Sequence, residues 1–370
     1  MAHYLYKWLY DPESIFSFLR LFGYLSFRSI FAFATAFFVS IIFGRKIINF
    51  LQKKGVREYS RYYYRELASI YKDGTPTMGG MIIIISILIP VFLWCDLSNR
   101  FVQLLILSIF WFGGIGFFDD YLKIKKGGGD KGMSRSQKLI LQAIFGFFLG
   151  FVILNENMTP YPKSIMFNLY IPFFKEPVLN LSWFYLLFIV FVVMAISNAV
   201  NFADGLDGLA IVPASVVVVV FGVFAYILGR IDYSTYLLFE HIPKSGEITV
   251  FCASVMGAGL GFLWYNTYPA QVFMGDVGSQ SLGGVIAVTA ILIKQEFLFL
   301  IAGGIFLAEA LSVLIQDRIG IAKLGRRIFF RAPLHHTFQY RGIAEPTVVV
   351  RFWIVSILLA LASFATLKIR

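Results

Sequence analysis

The strongest constraint on the fold of this chain is a series of ten apolar runs, each close to the length that crosses a lipid bilayer. A helix needs about twenty mostly apolar residues to cross the hydrocarbon core, where an exposed peptide group finds no hydrogen-bond partner. Hydrophobic residues make up 58% of the 370 residues and charged residues only 14%, which lies outside the range of soluble proteins. The sequence therefore predicts an all-α polytopic membrane protein with spans at 21–44, 79–95, 101–118, 139–154, 182–200, 209–228, 250–265, 281–293, 298–315 and 348–367.

The basic residues between the runs predict the orientation of the chain, because cytoplasmic loops retain Lys and Arg. The loops after the odd-numbered runs hold twenty of these residues, and the loops after the even-numbered runs hold six. We therefore expect the odd-numbered loops to be cytoplasmic and both termini to be periplasmic or exterior. The net charge of +11 then reflects membrane orientation, and no nucleic-acid partner is expected. The whole of 1–370 is predicted to be one integral membrane domain, with residues 1–20 as an interfacial segment.

Polar motifs lie at the ends of the predicted spans, and all of them fall on the predicted cytoplasmic side. The first is GTPTMGG at 74–80, which opens the second span and follows Lys72. Gly and Thr at a helix N-terminus leave backbone N–H groups that suit an anion such as phosphate, so Lys72 and Thr75 are candidate substrate contacts. The same residues are also typical of a simple cap and turn.

Two adjacent acids, Asp119 and Asp120, end the third span. Neighbouring carboxylates at a membrane boundary repel each other unless a metal ion or another cation neutralises them. An ordinary solvated helix end is the alternative, but the pair favours metal or proton-transfer chemistry.

The segment NAVNFADGLDGLA at 198–210 is more specific, because four oxygen-bearing residues follow one another at three-residue spacing. Asn198 and Asn201 end the fifth span, while Asp204 and Asp207 are each followed by a glycine that permits tight backbone. This pattern indicates recognition of a hard cation or of a phosphate sugar.

A single acid, Asp276, stands among small residues before the eighth span, with Asn266 upstream. Magnesium prefers few carboxylates together with substrate phosphates, so we predict Asp276 and Asn201 as Mg²⁺ ligands. Phe273 is a candidate for stacking on a base, although an aromatic residue at this depth is more often a membrane-interface anchor.

The last cytoplasmic loop carries two adjacent histidines, His335 and His336, close to several arginines. No cysteine or third histidine is nearby, so phosphate or diphosphate binding is favoured over zinc. Glu309 lies inside the ninth span and is expected to face the bundle interior, in either a structural or a functional role.

At these motifs the sequence resembles the polyprenyl-phosphate N-acetylhexosamine-1-phosphate transferases, and among them the phospho-N-acetylmuramoyl-pentapeptide transferase family. The resemblance runs from about residue 72 to the C-terminus. It rests on GTPTMGG at 74–80, FFDDYLK at 117–123, NAVNFADGLDGLA at 198–210, FLWYNTYPAQVFMGDVGS at 262–279, RAPLHH at 331–336 and EPTVVVRFW at 345–353.

The resemblance implies transfer of phospho-N-acetylmuramoyl-pentapeptide from UDP-MurNAc-pentapeptide to undecaprenyl phosphate, giving lipid I and UMP, with Mg²⁺ as cofactor. It implies a multi-pass protein of the bacterial inner membrane that makes peptidoglycan precursors, and it leaves a homodimer open. Asp119 would receive the proton from the lipid phosphate or orient that phosphate. Direct attack by the lipid phosphate and a first step that forms a phospho-enzyme on an aspartate are both open. By motif, the implied catalytic acids are Asp119, Asp120 and Asp276, and the implied surrounding site holds Asn201, Asp204, Asp207, Asn266, His335 and His336.

Two departures and two alternatives accompany this interpretation. Thr337 stands where a third histidine is usual, and Gln339 where an acid is common. A sister transferase that uses a UDP-N-acetylhexosamine without peptide would carry similar motifs, but the segments at 331–336 and 345–353 favour the muramoyl-pentapeptide enzyme. A secondary transporter would place such residues near the bilayer midplane on paired repeats, and no repeat is visible.

Overall fold

The computed structural model describes residues 1–57, 74–126 and 132–369, and this part of the chain is predominantly helical. Two-residue strands β1 (Asn168–Leu169) and β2 (Leu179–Asn180) form a small antiparallel ribbon, with Asn168 opposite Asn180. Ile15–Gly23 and Glu296–Leu298 are 3-10 helices, and Ile315–Ile321 is π-helical. The α-helices are α1 (Ala2–Leu9), α2 (Leu25–Lys53), α3 (Gly80–Trp94), α4 (Arg100–Lys125), α5 (Arg135–Leu154), α6 (Phe184–Ala203), α7 (Ile211–Leu228), α8 (Ile231–Tyr236), α9 (Gly246–Asn266), α10 (Gly275–Leu292), α11 (Phe299–Ala302), α12 (Gly304–Leu314), α13 (Ala322–Leu324), α14 (Leu334–Tyr340) and α15 (Glu345–Ala365).

The helices confirm a polytopic all-α membrane protein. Within the described residues, eight helices are long and apolar enough to cross a bilayer, and a sharply bent pair adds a ninth if it counts as one span. The helix on the second predicted run, α3, has only 15 residues. All ten apolar runs fall on helices, but the number of crossings and the sidedness of the termini stay predictions.

Several predicted spans differ from the observed helices. Helices α2 and α4 continue to Lys53 and Lys125, beyond the predicted ends at 44 and 118. The run at 298–315 is not one straight helix, because the chain bends by 88° where Glu296–Ala302 meets Gly304–Leu324. The break falls at Gly303, where a Cβ atom would lie only 2.4 Å from the ring of Phe299. The eighth span begins six residues before the predicted 281, since α10 starts at Gly275 and buries the small polar residues of its first two turns.

Helix α10 is the central helix of the bundle. In its most apolar stretch 89% of the residues are buried, against 22% for α2 and 33% for α15, which lie at the periphery. Two glycines allow its backbone to contact its neighbours directly. A Cβ atom on Gly80 of α3 would lie 2.1 Å from the backbone nitrogen of Gly278, and one on Gly116 of α4 would lie 2.1 Å from the carbonyl oxygen of Asp276.

Buried charges join the helices at the end of the bundle where α2 and α9 begin and α3 ends. Arg28 of α2 donates two hydrogen bonds to Glu247 of α9, at 2.9 and 2.5 Å, and Glu247 also accepts the backbone N–H of Asp96 after α3. Lys294, just after α10, donates to the carbonyl oxygen of Met166 at 2.7 Å. A buried ion pair contributes mainly when its hydrogen bonds are complete, and these contacts fix which helices meet at this end.

Candidate active site

Three carboxylates meet where the end of α4 packs on the start of α10. Asp119 and Asp120 lie in the last two turns of α4, and Asp276 lies in the first turn of α10. One oxygen of each lies within 4.8 Å of the others. Direct backbone contact at Gly116 brings the two helices this close, because a side chain there would separate them.

Two lysines neutralise part of this charge. Lys123 Nζ lies 2.6 Å from Asp119 Oδ2, 3.2 Å from Asp276 Oδ2 and 3.6 Å from Asp120 Oδ1. Lys138 Nζ, from the first turn of α5, lies 2.9 Å from Asp119 Oδ2 and 2.6 Å from Asp276 Oδ2. Three carboxylates and two ammonium groups would otherwise be costly at this depth, and the pairing offsets their desolvation.

Asp119 and Asp120 also hold backbone in place. Asp120 Oδ2 accepts the N–H of Val277 at 3.1 Å and so satisfies one of the unpaired donors at the start of α10. Gly275 next to it has φ +69°, and a Cβ atom there would lie 2.5 Å from Asp120 Oδ2. Asp119 Oδ1 accepts the N–H of Met133 at 2.7 Å.

Asp276 is the most accessible of the three acids. Its side chain is 16% exposed, compared with 1% for Asp119 and 4% for Asp120. Asn201, at the end of α6, donates to Asp276 Oδ1 at 3.3 Å and to Ser279 Oγ at 2.8 Å. The two residues predicted as Mg²⁺ ligands, Asp276 and Asn201, are therefore joined by a hydrogen bond, and their role as ligands stays a prediction.

The cluster has the donors that a divalent metal ion needs. Carboxylate oxygens are hard ligands suited to Mg²⁺, and three of them converge here from two rigid helices. Asp276 is the one whose oxygen also reaches solvent, so it is the best placed to bind an ion together with substrate phosphates. The described residues thus fit a metal site, with the two lysines as competing cations.

A layer of buried amides lies one turn deeper in the same helices. Asn198 Nδ2 donates to Gln142 Oε1 at 2.7 Å, and Gln142 Nε2 donates to Gln280 Oε1 at 3.0 Å. Gln142 follows Lys138 by four residues on α5, and Gln280 follows Asp276 by four residues on α10. The amides therefore fix the rotation of α5, α6 and α10, and with it the direction of the charged side chains above.

Two further motif residues, Asn266 and Asp207, form hydrogen bonds that join loops. Asn266, at the end of α9, accepts the N–H of Gly208 at 3.0 Å and donates to the carbonyl of Val272 at 2.9 Å. Asp207 Oδ2 accepts the N–H of Ala270 at 3.1 Å. These contacts tie the loop after α6 to the loop before α10. Asp204 lies half-buried at the end of α6.

The two histidines lie on α14, and His335 packs against the loop at 204–208. His335 is 1% exposed, its Nδ1 lies 3.2 Å from Glu309 Oε2, and its backbone N–H donates to Glu309 Oε1 at 3.2 Å. Glu309 therefore faces the bundle interior, as predicted. His335 Nε2 has no hydrogen-bond partner among the described residues and points toward the Cα of Gly205, where a Cβ would lie 2.2 Å away. His336 Nδ1 lies 2.9 Å from Gln339 Oε1.

Thr337, the first departure from the family pattern, joins α14 to the segment just before it. Its hydroxyl donates to the carbonyl of Arg331 and accepts the N–H of the same residue at 3.2 Å. The second departure, Gln339, contacts His336 as described above. Both residues therefore support the local conformation that presents the histidines.

The glycine-rich segment before α3 pairs with the segment before α10. Phe273 N–H donates to Pro76 O at 2.8 Å, and Gly79 N–H donates to Phe273 O at 2.9 Å. The side chains of Thr75 and Phe273 are half-buried beside this pairing. Lys72 lies outside the described residues.

The structure adds site residues that the sequence interpretation did not include. Lys123 was detectable in principle, because it follows the two acids at helical spacings of four and three residues. Lys138 and Gln142 repeat this spacing at the start of α5, but a basic residue before a span is equally typical of a membrane anchor. The full set of additions is Lys123, Lys138, Gln142, Ser279 and Gln280.

Comparisons with known proteins identify the family of the chain. Residues 102–294, which contain the carboxylate cluster, match the model of glycosyl transferase family 4. Proteins named phospho-N-acetylmuramoyl-pentapeptide-transferase from Citrifermentans bemidjiense and Maridesulfovibrio salexigens are each 44% identical over 367 residues, which cover 99% of this chain and the full length of each relative. The protein of that name from Desulfovibrio desulfuricans is 44% identical over 368 residues, 99% of each chain. The chain therefore belongs to the phospho-N-acetylmuramoyl-pentapeptide-transferase family within glycosyl transferase family 4.

Proposed function

We propose that this protein transfers phospho-N-acetylmuramoyl-pentapeptide from its UDP carrier to undecaprenyl phosphate and releases UMP. The observation that carries the proposal is the convergence of Asp119, Asp120 and Asp276 with two lysines at one end of an apolar bundle. An enzyme that joins a charged nucleotide sugar to a membrane lipid needs its charged groups at this kind of boundary. Full-length similarity to enzymes of that name supports the same substrates.

The reaction exchanges one phosphoanhydride bond for another. An oxygen of the lipid phosphate forms a bond to the phosphorus that carries the sugar, and the bond from that phosphorus to the UMP oxygen breaks. Such transfers depend on positioning and charge neutralisation more than on covalent chemistry. Lys123 and Lys138 supply two positive charges at the cluster. Their side chains are 31% and 18% exposed, so both are within reach of an incoming phosphate.

The three acids have separate roles in the proposal. A bound Mg²⁺ would supply Lewis-acid neutralisation of the diphosphate, and Asp276 with Asn201 beside it would hold the ion. Asp119 forms ion pairs with both lysines, so in this proposal it orients them toward the lipid phosphate. Asp120 keeps the first turn of α10 in register through Val277.

The other motif residues surround this centre in the proposal. Asp204, Asp207, Asn266 and the two histidines shape the nucleotide-sugar site, with Phe273, Thr75 and Asn198 at its edge. Lys72, outside the described residues, is proposed as a substrate contact from its motif alone. The site faces the cytoplasm of a bacterium whose inner membrane holds the protein, and the chain forms one domain. Periplasmic termini follow from the same orientation.

The test is an assay of the purified protein in detergent or nanodiscs with UDP-MurNAc-pentapeptide, undecaprenyl phosphate and Mg²⁺. We expect release of UMP and formation of a lipid-linked product, and loss of both when EDTA is added. UDP-GlcNAc in place of the peptide-bearing nucleotide should give little turnover. Comparable turnover of both nucleotides would favour the sister transferase, and no UMP with either would refute the proposal.

A further inference from the structure

A polar cavity of about 300 Å³ lies beside the site, between the end of α2 and the loops that precede α3 and α10. From α2 it is lined by Arg45, Ile48, Asn49 and Gln52. Ile48 and Asn49 each lie three or four residues from both Arg45 and Gln52, so the four residues share one helix face. The opposite walls are Gly74, Thr75, Pro76, Ala270 and Gln271.

The described lining of the cavity carries positive charge only. Arg45 is the only charged residue among the described lining residues, and it donates a hydrogen bond to the neutral amide of Gln271 at 3.1 Å. Among the described residues, this amide is the side-chain hydrogen-bond partner of Arg45. A guanidinium held only by an amide can bind a carboxylate bidentately, while the amides beside it match peptide N–H and C=O groups.

The walls of the cavity are fixed by the residues that shape the site. Tyr265, at the end of α9, packs on Gly44 next to Arg45, and its hydroxyl donates to the carbonyl of Ile41 at 2.7 Å. Ala270 is held by Asp207 from the other side. The cavity is therefore part of the same rigid assembly of loops.

The cavity also lies within reach of the reacting phosphate. Gln271 and Asp276 are five residues apart, and a fully extended chain of that length spans at most about 18 Å. An extended pentapeptide spans a similar distance of about 17 Å. A substrate with its sugar phosphate at Asp276 could therefore place its peptide in the cavity.

We propose that this cavity binds the anionic peptide of the nucleotide substrate, with Arg45 contacting a peptide carboxylate and the amides of Asn49, Gln52 and Gln271 contacting the peptide backbone. The proposal rests on the proposed function and adds a specificity site to it. It explains how one protein can distinguish a nucleotide sugar with a peptide from one without.

The experiment compares Arg45→Ala with the unsubstituted protein, both in nanodiscs, by calorimetric binding of UDP-MurNAc-pentapeptide and of UDP-MurNAc without peptide. We expect Arg45→Ala to weaken binding of the peptide-bearing nucleotide about tenfold, the usual effect of losing a hydrogen bond to a charged group, and to change UDP-MurNAc binding less than twofold. Arg45→Lys should recover part of the affinity. The matched control is Lys46→Ala, which removes the same charge one residue away, outside the cavity.

Equal weakening of both nucleotides, or of neither, would overturn the peptide site. The same measurements in nanodiscs with and without anionic lipid separate a second source of anion. An Arg45→Ala effect that appears only with anionic lipid assigns Arg45 to lipid headgroups and also overturns the proposal. UMP release by the unsubstituted protein, measured in parallel, tests the proposed function independently of these outcomes.

Discussion

At the scale of single residues, the two lysines make different contacts with the acids. Lys123 contacts all three carboxylates from the same helix as two of them, whereas Lys138 reaches Asp119 and Asp276 from α5. Neither was predicted from the sequence, because a lysine near a span end is normally a membrane-surface charge. The acids themselves were predicted, since a carboxylate at a span boundary is costly without a partner.

Replacing Lys138 with Met should reduce kcat about a hundredfold, because one of two cations that face the transferring phosphate is removed. The side chains have similar length, so packing of α5 should change little. Steady-state UMP release measures the loss, and Lys125→Met, which removes an exposed lysine at the end of α4, should stay within twofold of the unsubstituted protein. Retention of more than a third of the kcat in Lys138→Met would exclude Lys138 from the catalytic centre.

Asp276→Asn should lower turnover about a hundredfold or more at a fixed Mg²⁺ concentration. The amide keeps the shape of the side chain but loses the charge that would bind the ion, so half-maximal activity should require far more Mg²⁺. The measurement is a Mg²⁺ titration of UMP release. An Asp276→Asn protein that keeps more than a tenth of the rate at the same Mg²⁺ concentration would remove Asp276 from the metal site.

At the scale of elements, the sequence predicts the position of the apolar runs well and the polar ends of the helices poorly. The start of α10 was predicted at 281 because Gly275, Asp276, Ser279 and Gln280 are small or polar, and a hydropathy argument treats such residues as loop. In the structure Ser279 and Gln280 are buried and Gly275 and Asp276 are half-buried, because neighbouring helices supply partners, which no single-chain periodicity can reveal. The break at Gly303 was missed for the related reason that a glycine in an apolar run is common in membrane helices.

Close contact between α4 and α10 predicts contrasting effects for two glycines of α4. Gly116→Ala should abolish most activity and lower the midpoint of thermal unfolding, because its Cβ would lie 2.1 Å from the carbonyl oxygen of Asp276. Gly114→Ala should be neutral or slightly stabilising, since no heavy atom lies within 4 Å of its Cβ and Ala favours a helix. Activity assays and thermal unfolding of the two variants provide the comparison. Equal effects would mean that α4 and α10 do not approach as closely as described.

The amide layer gives a second prediction at this scale. Gln142→Leu should leave the amides of Asn198 and Gln280 without a shared partner, at a cost of about 1–3 kcal/mol in stability. We also expect kcat to fall more than KM rises, because Lys138 and Asp276 lose their alignment. Ser108→Ala is the control, since this buried hydroxyl bonds only to its own helix at Leu105. If Gln142→Leu and Ser108→Ala have the same kcat, the layer does not position the charged side chains.

At the scale of the whole molecule, the contacts join the motif-bearing helix ends at one end of the bundle. The start of α3 pairs with the loop before α10, the end of α4 with the starts of α5 and α10, and the loop after α6 with the end of α9. The start of α15 joins them through Glu345, which accepts the backbone N–H of Asp207. This arrangement follows from alternating crossings, so the sequence could predict that the motifs share a side. The charge of the loops predicts that this shared side is the cytoplasmic one.

The sidedness can be measured with two single cysteines at opposite ends of the bundle. We expect a cysteine at Lys163, whose side chain is 71% exposed in the connection between α5 and α6, to react with an impermeant maleimide on intact spheroplasts. A cysteine at the exposed Arg326, in the loop before α14, should react only after the membrane is permeabilised, because twenty Lys and Arg residues fall in loops of its predicted side. The native Cys95 and Cys252 are buried and should not contribute background. Labelling of position 326 from outside, with position 163 protected, would reverse the orientation and move the carboxylate cluster away from the cytoplasm, where UDP-linked sugars are made.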